Sequence, residues 1–208
     1  MGTKKGLIFG SCPETDWSFL SNITQWPDFV IAADGGLRNA RAAGFAPNVY
    51  IGDGDSGGAP EDGLICVTLP PEKDVTDLEA AYRWARSHGC GELILTGCTG
   101  GRLDHHMAAM SLLELASQDG VRAVILDARN RVEFLSSGTH SIPDRGYRYV
   151  SLVPVDSVLA GLRISGAKYC LSDRDVYRGE SLTISNEFAD NTITVSFQAG
   201  CCYLIYAD

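Results

Sequence analysis

No Cys-x-x-Cys pair occurs in this chain, and its seven cysteines, at positions 12, 66, 90, 98, 170, 201 and 202, make an odd set. Zinc-type spacing is therefore missing, and reduced, buried thiols fit best. Cys201-Cys202 reads better as adjacent small residues in a strand than as a vicinal redox pair. No run of about 18 apolar residues exists, so no membrane-spanning helix is expected. The apolar stretch Leu7-Ile8-Phe9 behind Met1–Lys5 is too short for a signal peptide, and a cytoplasmic protein is expected. Positive charge is scarce as well: the net charge is −9, which makes nucleic acid a poor partner. The acidic surplus suits a cationic substrate or metal ions, although a solvated acidic surface explains bulk charge equally simply. No Gly-x-x-x-x-Gly-Lys-[Ser/Thr] motif appears, which excludes a P-loop kinase. Solenoid repeats and low-complexity segments are absent too.

What the sequence does contain is a change of texture near Ala128–Arg131. Before it, short apolar runs alternate with helical patterns. The runs are Gly6–Phe9, Phe29–Ala33, Val49–Ile51, Leu64–Leu69, Glu92–Leu95 and Arg122–Leu126, and the helical stretches include Leu37–Ala43, Asp77–Ser87 and His105–Ser117. Such alternation predicts an α/β domain with a mostly parallel sheet, over residues 1–129. Behind it the helical period vanishes. Short strands are expected at Val132–Leu135, Arg148–Val153, Leu159–Ile164, Ser181–Ile184, Thr192–Phe197 and Cys202–Tyr206, punctuated by glycine and proline. That pattern predicts a small all-β sandwich or jelly-roll domain over residues 130–208.

Acidic residues and glycines fall directly behind the first domain's strands. Ala33 is followed by Asp34-Gly35-Gly36, Ile51 by Gly52-Asp53-Gly54-Asp55-Ser56, and Leu95 by Thr96-Gly97 and then Gly100-Gly101-Arg102-Leu103-Asp104-His105. The carboxyl ends of parallel strands share one crevice, where ligands bind. Asp53 and Asp55, two apart, point the same way in an extended segment and suit Mg²⁺, a hard ion that takes a few carboxylates plus phosphate and water oxygens. A plain acidic, glycine-rich turn is the alternative. Gly35-Gly36 admits a nucleotide or simply turns the chain from strand to helix. Thr76 and Glu79 have capping-box spacing and need no chemistry. Asp77 sits on the first helical turn, where a carboxylate also suits the helix dipole. Capping leaves Lys73 and Asp74 unexplained: a lysine for phosphate and one more carboxylate near the pair. Gly100-Gly101-Arg102 ahead of a helix offers backbone N–H groups and a guanidinium fork to a phosphate. Asp104 is expected to cap a helix beginning at His105. His105 and His106 point in different directions on a helix and are not a metal pair.

Taken together, Ala33-Asp34-Gly35-Gly36, Gly52-Asp53-Gly54-Asp55-Ser56, Lys73-Asp74-Val75-Thr76-Asp77, Gly100-Gly101-Arg102-Leu103-Asp104-His105 and Ser185-Asn186-Glu187-Phe188 resemble the thiamine pyrophosphokinase family, in that family's order. One departure is Gly54, where the family usually carries an aromatic residue. The resemblance implies a homodimer of α/β plus β-sandwich subunits that moves pyrophosphate from ATP to thiamine with Mg²⁺, leaving AMP. It implies metal and catalytic roles for Asp53, Asp55 and Asp77, and catalytic roles for Arg102 and Asp104. Nucleotide contacts are implied at Asp34, Gly35, Gly36, Lys73, Asp74, Gly100, Gly101, Arg102 and His105. Thiamine contacts are implied at Ser185, Asn186 and Phe188; from the residues alone, Ser-Asn-Glu-Phe is a turn and Phe188 a core residue.

Two rival readings start from the same residues. Asp53-Gly54-Asp55 behind a strand also fits an aspartate-dependent phosphatase of small phosphate esters, in which Gly-Gly-Arg-x-Asp-His has no role. A non-catalytic thiamine- or nucleotide-binding module is the other, and intact acidic residues at all three of these strand-end sites argue against it.

Overall fold

Phe29-Val30-Ile31-Ala32-Ala33 contains no polar side chain, and such a strand is stable only with both faces covered. The computed structural model of the chain describes residues 3–23, 25–53, 63–70, 72 and 74–208. The chain forms two compact units, Met1–Ala128 and Arg129–Asp208. In the first, this segment is β2 (Phe29–Ala33), one member of a parallel sheet. Its other strands are β1 (Lys4–Phe9), β3 (Val49–Gly52), β4 (Ile65–Thr68), β5 (Cys90–Thr96) and β6 (Arg122–Leu126). Their order across the sheet is β6-β5-β1-β2-β3-β4, and every neighbouring pair is parallel. Leu7, Ile8, Phe9, Ile31, Ala32, Ile51 and Leu95 are wholly buried along it.

Helix α1 (Gly36–Ala42) packs on β1 and β2, α2 (Asp77–Ser87) covers β2 and β1, and α3 (Leu103–Gln118) lies on β6. The apolar positions of α2 recur at helical spacing, so Ala81, Tyr82 and Ala85 are buried together. From β1 the chain builds outward through β2, β3 and β4, then returns to place β5 on the other side of β1. That reversal puts the sheet's switch point between β1 and β5, and a crevice opens at their carboxyl ends.

The second unit is antiparallel: β7 (Asn130–Pro143), β8 (Tyr149–Pro154), β9 (Val158–Ser165), β10 (Leu171–Tyr177) and β11 (Thr192–Ala207). The order is β10-β9-β11-β7, and β8 pairs with the second half of β11. Ile193, Val195 and Phe197 face the core from the first half of β11, and Cys202, Leu204 and Tyr206 from the second. The inward positions switch from odd to even numbers because the register slips between Phe197 and Cys201, where Gly200 takes φ +96°.

The α/β-then-all-β architecture is the one expected from the texture of the sequence. Three details differ. Thr192–Phe197 and Cys202–Tyr206 are one bulged strand and not two. Ser181–Ile184 is a turn, closed by Ile184 N–H to the Ser181 carbonyl at 3.2 Å, because only Thr183 of its alternating residues is buried. Leu171–Tyr177 is a strand despite its charges, since it borders the sheet and keeps only Val176 wholly inside.

Candidate functional site

A cleft of about 230 Å³ opens at the switch point of the first unit. Its walls come from the segments behind β1 (Gly10 to Cys12), β2 (Asp34) and β5 (Gly97, Cys98), from the head of α2 (Thr76 to Leu78) and from one face of α3 (His105, Ala108, Ala109). The spacing 105, 108, 109 is the helical i, i+3, i+4 set, so the sequence itself turns that face of α3 inward.

Asp34 adopts φ +48°, in the left-handed region that a residue with a Cβ rarely occupies. Its N–H donates to the Ile51 carbonyl at 2.8 Å, which ties the end of β2 to the end of β3. Strain of this kind persists only where the surroundings fix it, and it clusters at ligand sites. Gly36 has a packing role: a Cβ there would lie 1.9 Å from the Phe9 carbonyl oxygen, so α1 can begin this close to β1 only with glycine.

Asn39, on the buried side of α1, donates from its amide to the Gly10 and Cys12 carbonyls, both at 2.7 Å. Cys12 N–H in turn donates to the Gly97 carbonyl at 2.8 Å. The β1 and β5 segments are thereby latched together beneath the cleft. Neither Asn39 nor Gly10-Ser11-Cys12 stood out in the sequence. The available signal was Gly10, which directly follows the apolar run of β1.

Helix α2 begins as its capping pattern requires, with Glu79 N–H donating to Thr76 Oγ1 at 3.1 Å. The reciprocal half is not made: the Glu79 carboxylate instead takes Arg83 at 2.7 Å. Asp77 follows the cap and lines the cleft. Helix α3 begins at Leu103, with Arg102 at the cap position. Asp104 is therefore not the cap but a first-turn residue, and its carboxylate accepts from Arg102 Nη2 at 2.6 Å and Nε at 3.1 Å. Arg102's hydrogen bonds hold the Asp104 carboxyl down at about 2.

The structure thus brings Asp34, Asp77 and His105 together in one cleft. Asp53 follows β3, the strand beside β2. Gly35, the cap position ahead of α1, lies outside the walls, and Asp74 is exposed ahead of α2. Gly100, Gly101, Arg102 and Asp104 are exposed at the head of α3 and are not wall residues. Gly101 nonetheless lies against the wall residue Cys12, since a Cβ on it would approach Cys12 Sγ to 2.7 Å. Asp55, with Gly54 and Ser56, and Lys73 lie outside the described residues. Among the described residues no three metal-ligating side chains cluster.

In the second unit Ser185 also takes a left-handed backbone, φ +57°, and its N–H donates to Ser151 Oγ at 2.9 Å. Asn186 is 7% exposed. Its Oδ1 accepts from the N–H groups of Tyr169 at 3.0 Å and Glu187 at 2.9 Å, and its Nδ2 donates to the Tyr169 carbonyl at 2.8 Å. The Phe188 ring is half-buried and stacks on Tyr206 with centroids 6.3 Å apart.

Comparison with known proteins yields matches over most of the chain. Residues 20–125 match the family described as "Thiamin pyrophosphokinase, catalytic domain", and residues 139–202 match "Thiamin pyrophosphokinase, vitamin B1 binding domain". The chain is 31% identical over 193 residues to a thiamine pyrophosphokinase of Bacillus subtilis, covering 89% of this chain and 90% of that one. The crystal structure of a thiamine pyrophosphokinase from Bacillus subtilis superposes with a TM-score of 0.85 at 27% identity, covering 98% of this chain and 99% of the other. That of a thiamin pyrophosphokinase from Geobacillus thermodenitrificans also gives 0.85, at 32% identity, covering 98% and 97%.

Proposed function

This chain belongs to the thiamin pyrophosphokinase family, and we propose that it transfers pyrophosphate from ATP to the hydroxyl of thiamine, giving thiamine diphosphate and AMP. The observation that carries this reading is the convergence of Asp34, Asp77 and His105 on the switch-point cleft, inside the segment that matches the family's catalytic domain. The match of residues 139–202 to a vitamin B1 binding domain supports the acceptor.

The reaction displaces AMP from the β-phosphorus by an alcohol. Such a step depends on in-line positioning and on offsetting charge more than on covalent help. A divalent metal fits the residues present: Asp53 and Asp77 are hard oxygen donors of the kind Mg²⁺ takes, and Asp77 lines the cleft. Asp53, Asp55 and Asp77 would hold Mg²⁺, which when bound neutralises phosphate charge. The chain supplies the rest. Asp34, on its fixed turn, and His105 face the nucleotide, and Gly35, Gly36, Lys73, Asp74, Gly100 and Gly101 are the further nucleotide contacts that the family resemblance implies. Arg102 presents its fork to phosphate oxygens as negative charge grows on the departing group. A carboxylate of the Asp53, Asp55, Asp77 and Asp104 set accepts the hydroxyl proton. Ser185, Asn186 and Phe188 form the thiamine side.

The active species is proposed to be a cytoplasmic homodimer without a nucleic-acid or membrane partner. Exposed Leu103 and Met107, one turn apart on α3, and exposed Leu182 and Ile184 in the second unit are apolar surface that a second copy would cover. No described helix is long and apolar enough to cross a membrane.

A coupled assay of AMP release tests the reading. AMP should appear only when ATP, Mg²⁺ and thiamine are all present. Phosphate released from simple esters without ATP would point to a phosphatase, and ligand binding without AMP would leave a binding module.

A further inference from the structure

The segment joining β5 to α3 carries Gly100, Gly101 and Arg102, and it is tethered at a point the cleft walls do not include. Thr99 Oγ1 donates to Asp127 Oδ2 at 2.7 Å. Asp127 directly follows β6 and is 8% exposed. Burying a carboxylate is costly unless donors meet it, and an O–H···O⁻ bond of this length belongs to the strong, charge-assisted kind. The tether has a definite load. Gly97 and Gly100 both take left-handed φ, +61° and +78°, so Thr99 stands between two sharp reversals of the backbone. Glycine at both reversals leaves the segment many competing conformations, and a bond from its middle to the rigid end of β6 removes most of them.

We infer that Thr99 and Asp127 are a positioning pair that holds Gly100-Gly101-Arg102 in the phosphate-accepting conformation. The Thr99 hydroxyl is given to Asp127, so the pair acts through the loop and not on substrate. Cys12 fixes the loop from the other side, where its Sγ packs under Gly101. The loop is then held between the ends of β1 and β6, on either side of β5. The inference rests on the function proposed above, because it assigns the loop to the phosphates of ATP.

Thr99→Val removes the hydroxyl and keeps the shape, Thr99→Ser keeps the hydroxyl, and Asp127→Asn removes the charge. Each is made in the full chain and examined by steady-state kinetics in both substrates, by calorimetric titration with Mg·ATP and by thermal melting. Thr99→Val should raise the ATP KM and the calorimetric Kd about tenfold, equivalent to about 1.4 kcal/mol, with the thiamine KM within about twofold of the parent. Thr99→Ser should restore both. The double variant with Asp127→Asn should be no worse than the poorer single variant, since the two residues act as one unit. Unchanged ATP affinity in Thr99→Val, whatever its melting temperature, would overturn the inference, as would equal losses for both substrates or additive losses in the double variant. The titration separates this from the functional reading. If the parent binds Mg·ATP but releases no AMP with thiamine, the proposed reaction fails while the Kd shift still decides the pair. If the parent binds no Mg·ATP, both fail together.

Discussion

Arg102 clasps Asp104 through Nε and Nη2 of its guanidinium, although the two side chains are 74% and 63% exposed. A surface pair of this kind adds little to stability. Its consequence is for chemistry: Nε and one Nη2 hydrogen already go to Asp104, so the guanidinium edge left for a phosphate is the one formed by Nη1 and Nη2.

The first expectation concerns protonation. Asp104 is held down at about 2, against an ordinary value of 3.8, so its charge is complete at any pH at which ATP chemistry runs. A lowered carboxyl favours the folded pair above the ordinary value and loses that effect only as the pH falls through about 2. Carbon-detected NMR titration of Asp104 should show a midpoint near that value, and Arg102→Ala should return it towards 3.8. A midpoint unchanged by Arg102→Ala would mean that the pair does not persist in solution.

Arg102→Lys keeps the charge but loses the planar fork. Calorimetry should show weaker ATP binding, by about tenfold, while thiamine binding changes little. Equal ATP affinity in the two proteins would confine Arg102 to a local role at the head of α3.

Asp53→Asn should lower turnover by about 10²-fold, the scale of losing one major electrostatic group. Asp53 is outside the buried core, so the melting temperature should stay near the parent's. Raising Mg²⁺ should recover part of the rate if the loss is weakened metal binding. A fully active Asp53→Asn would remove the metal role from this strand end.

The fold class was legible because periodicity separates parallel strands with both faces buried from half-buried antiparallel ones. Phe29–Ala33 is apolar throughout, and Thr192–Ala207 alternates. β10 was not legible, because Ser172, Asp173, Arg174 and Asp175 are exposed and give no apolar alternation. At the site, Asp34, Asp77 and His105 were legible as polar residues at strand ends or helix heads. Gly10 to Cys12 was not, since its importance comes from the return of β5 to the side of β1, a property of strand order that no local pattern carries. Asn39 was hidden for the same reason: its partners are the Gly10 and Cys12 carbonyls, far away in sequence. Gly36 was legible as a turn glycine, but its contact with the Phe9 carbonyl required the packed helix.

The last expectation concerns the second unit. Asn186 was singled out as a thiamine contact, yet its side chain already gives one N–H to the Tyr169 carbonyl and accepts from Tyr169 and Glu187. Its backbone also exchanges two hydrogen bonds with Val150, at 2.9 and 3.0 Å. A residue so engaged shapes its neighbours: it fixes exposed Ser185 in a left-handed turn on one side and exposed Tyr169 on the other. Asn186→Ala removes the acceptor for two backbone N–H groups, so it should cost about 1–3 kcal/mol of stability, read from denaturant melts. It should also raise the thiamine KM and leave the ATP KM near the parent value. Asn186→Asp keeps the acceptor for Tyr169 and Glu187 but sets a carboxylate against the Tyr169 carbonyl, and it should be unstable as well. Ser185→Ala leaves every one of those bonds in place, since only the Ser185 backbone N–H bonds to Ser151 Oγ. It should therefore melt like the parent and still raise the thiamine KM. If Ser185→Ala binds thiamine normally and Asn186→Ala raises the ATP and thiamine constants equally, this turn is scaffold only, and the acceptor site belongs at the carboxyl edge of the parallel sheet.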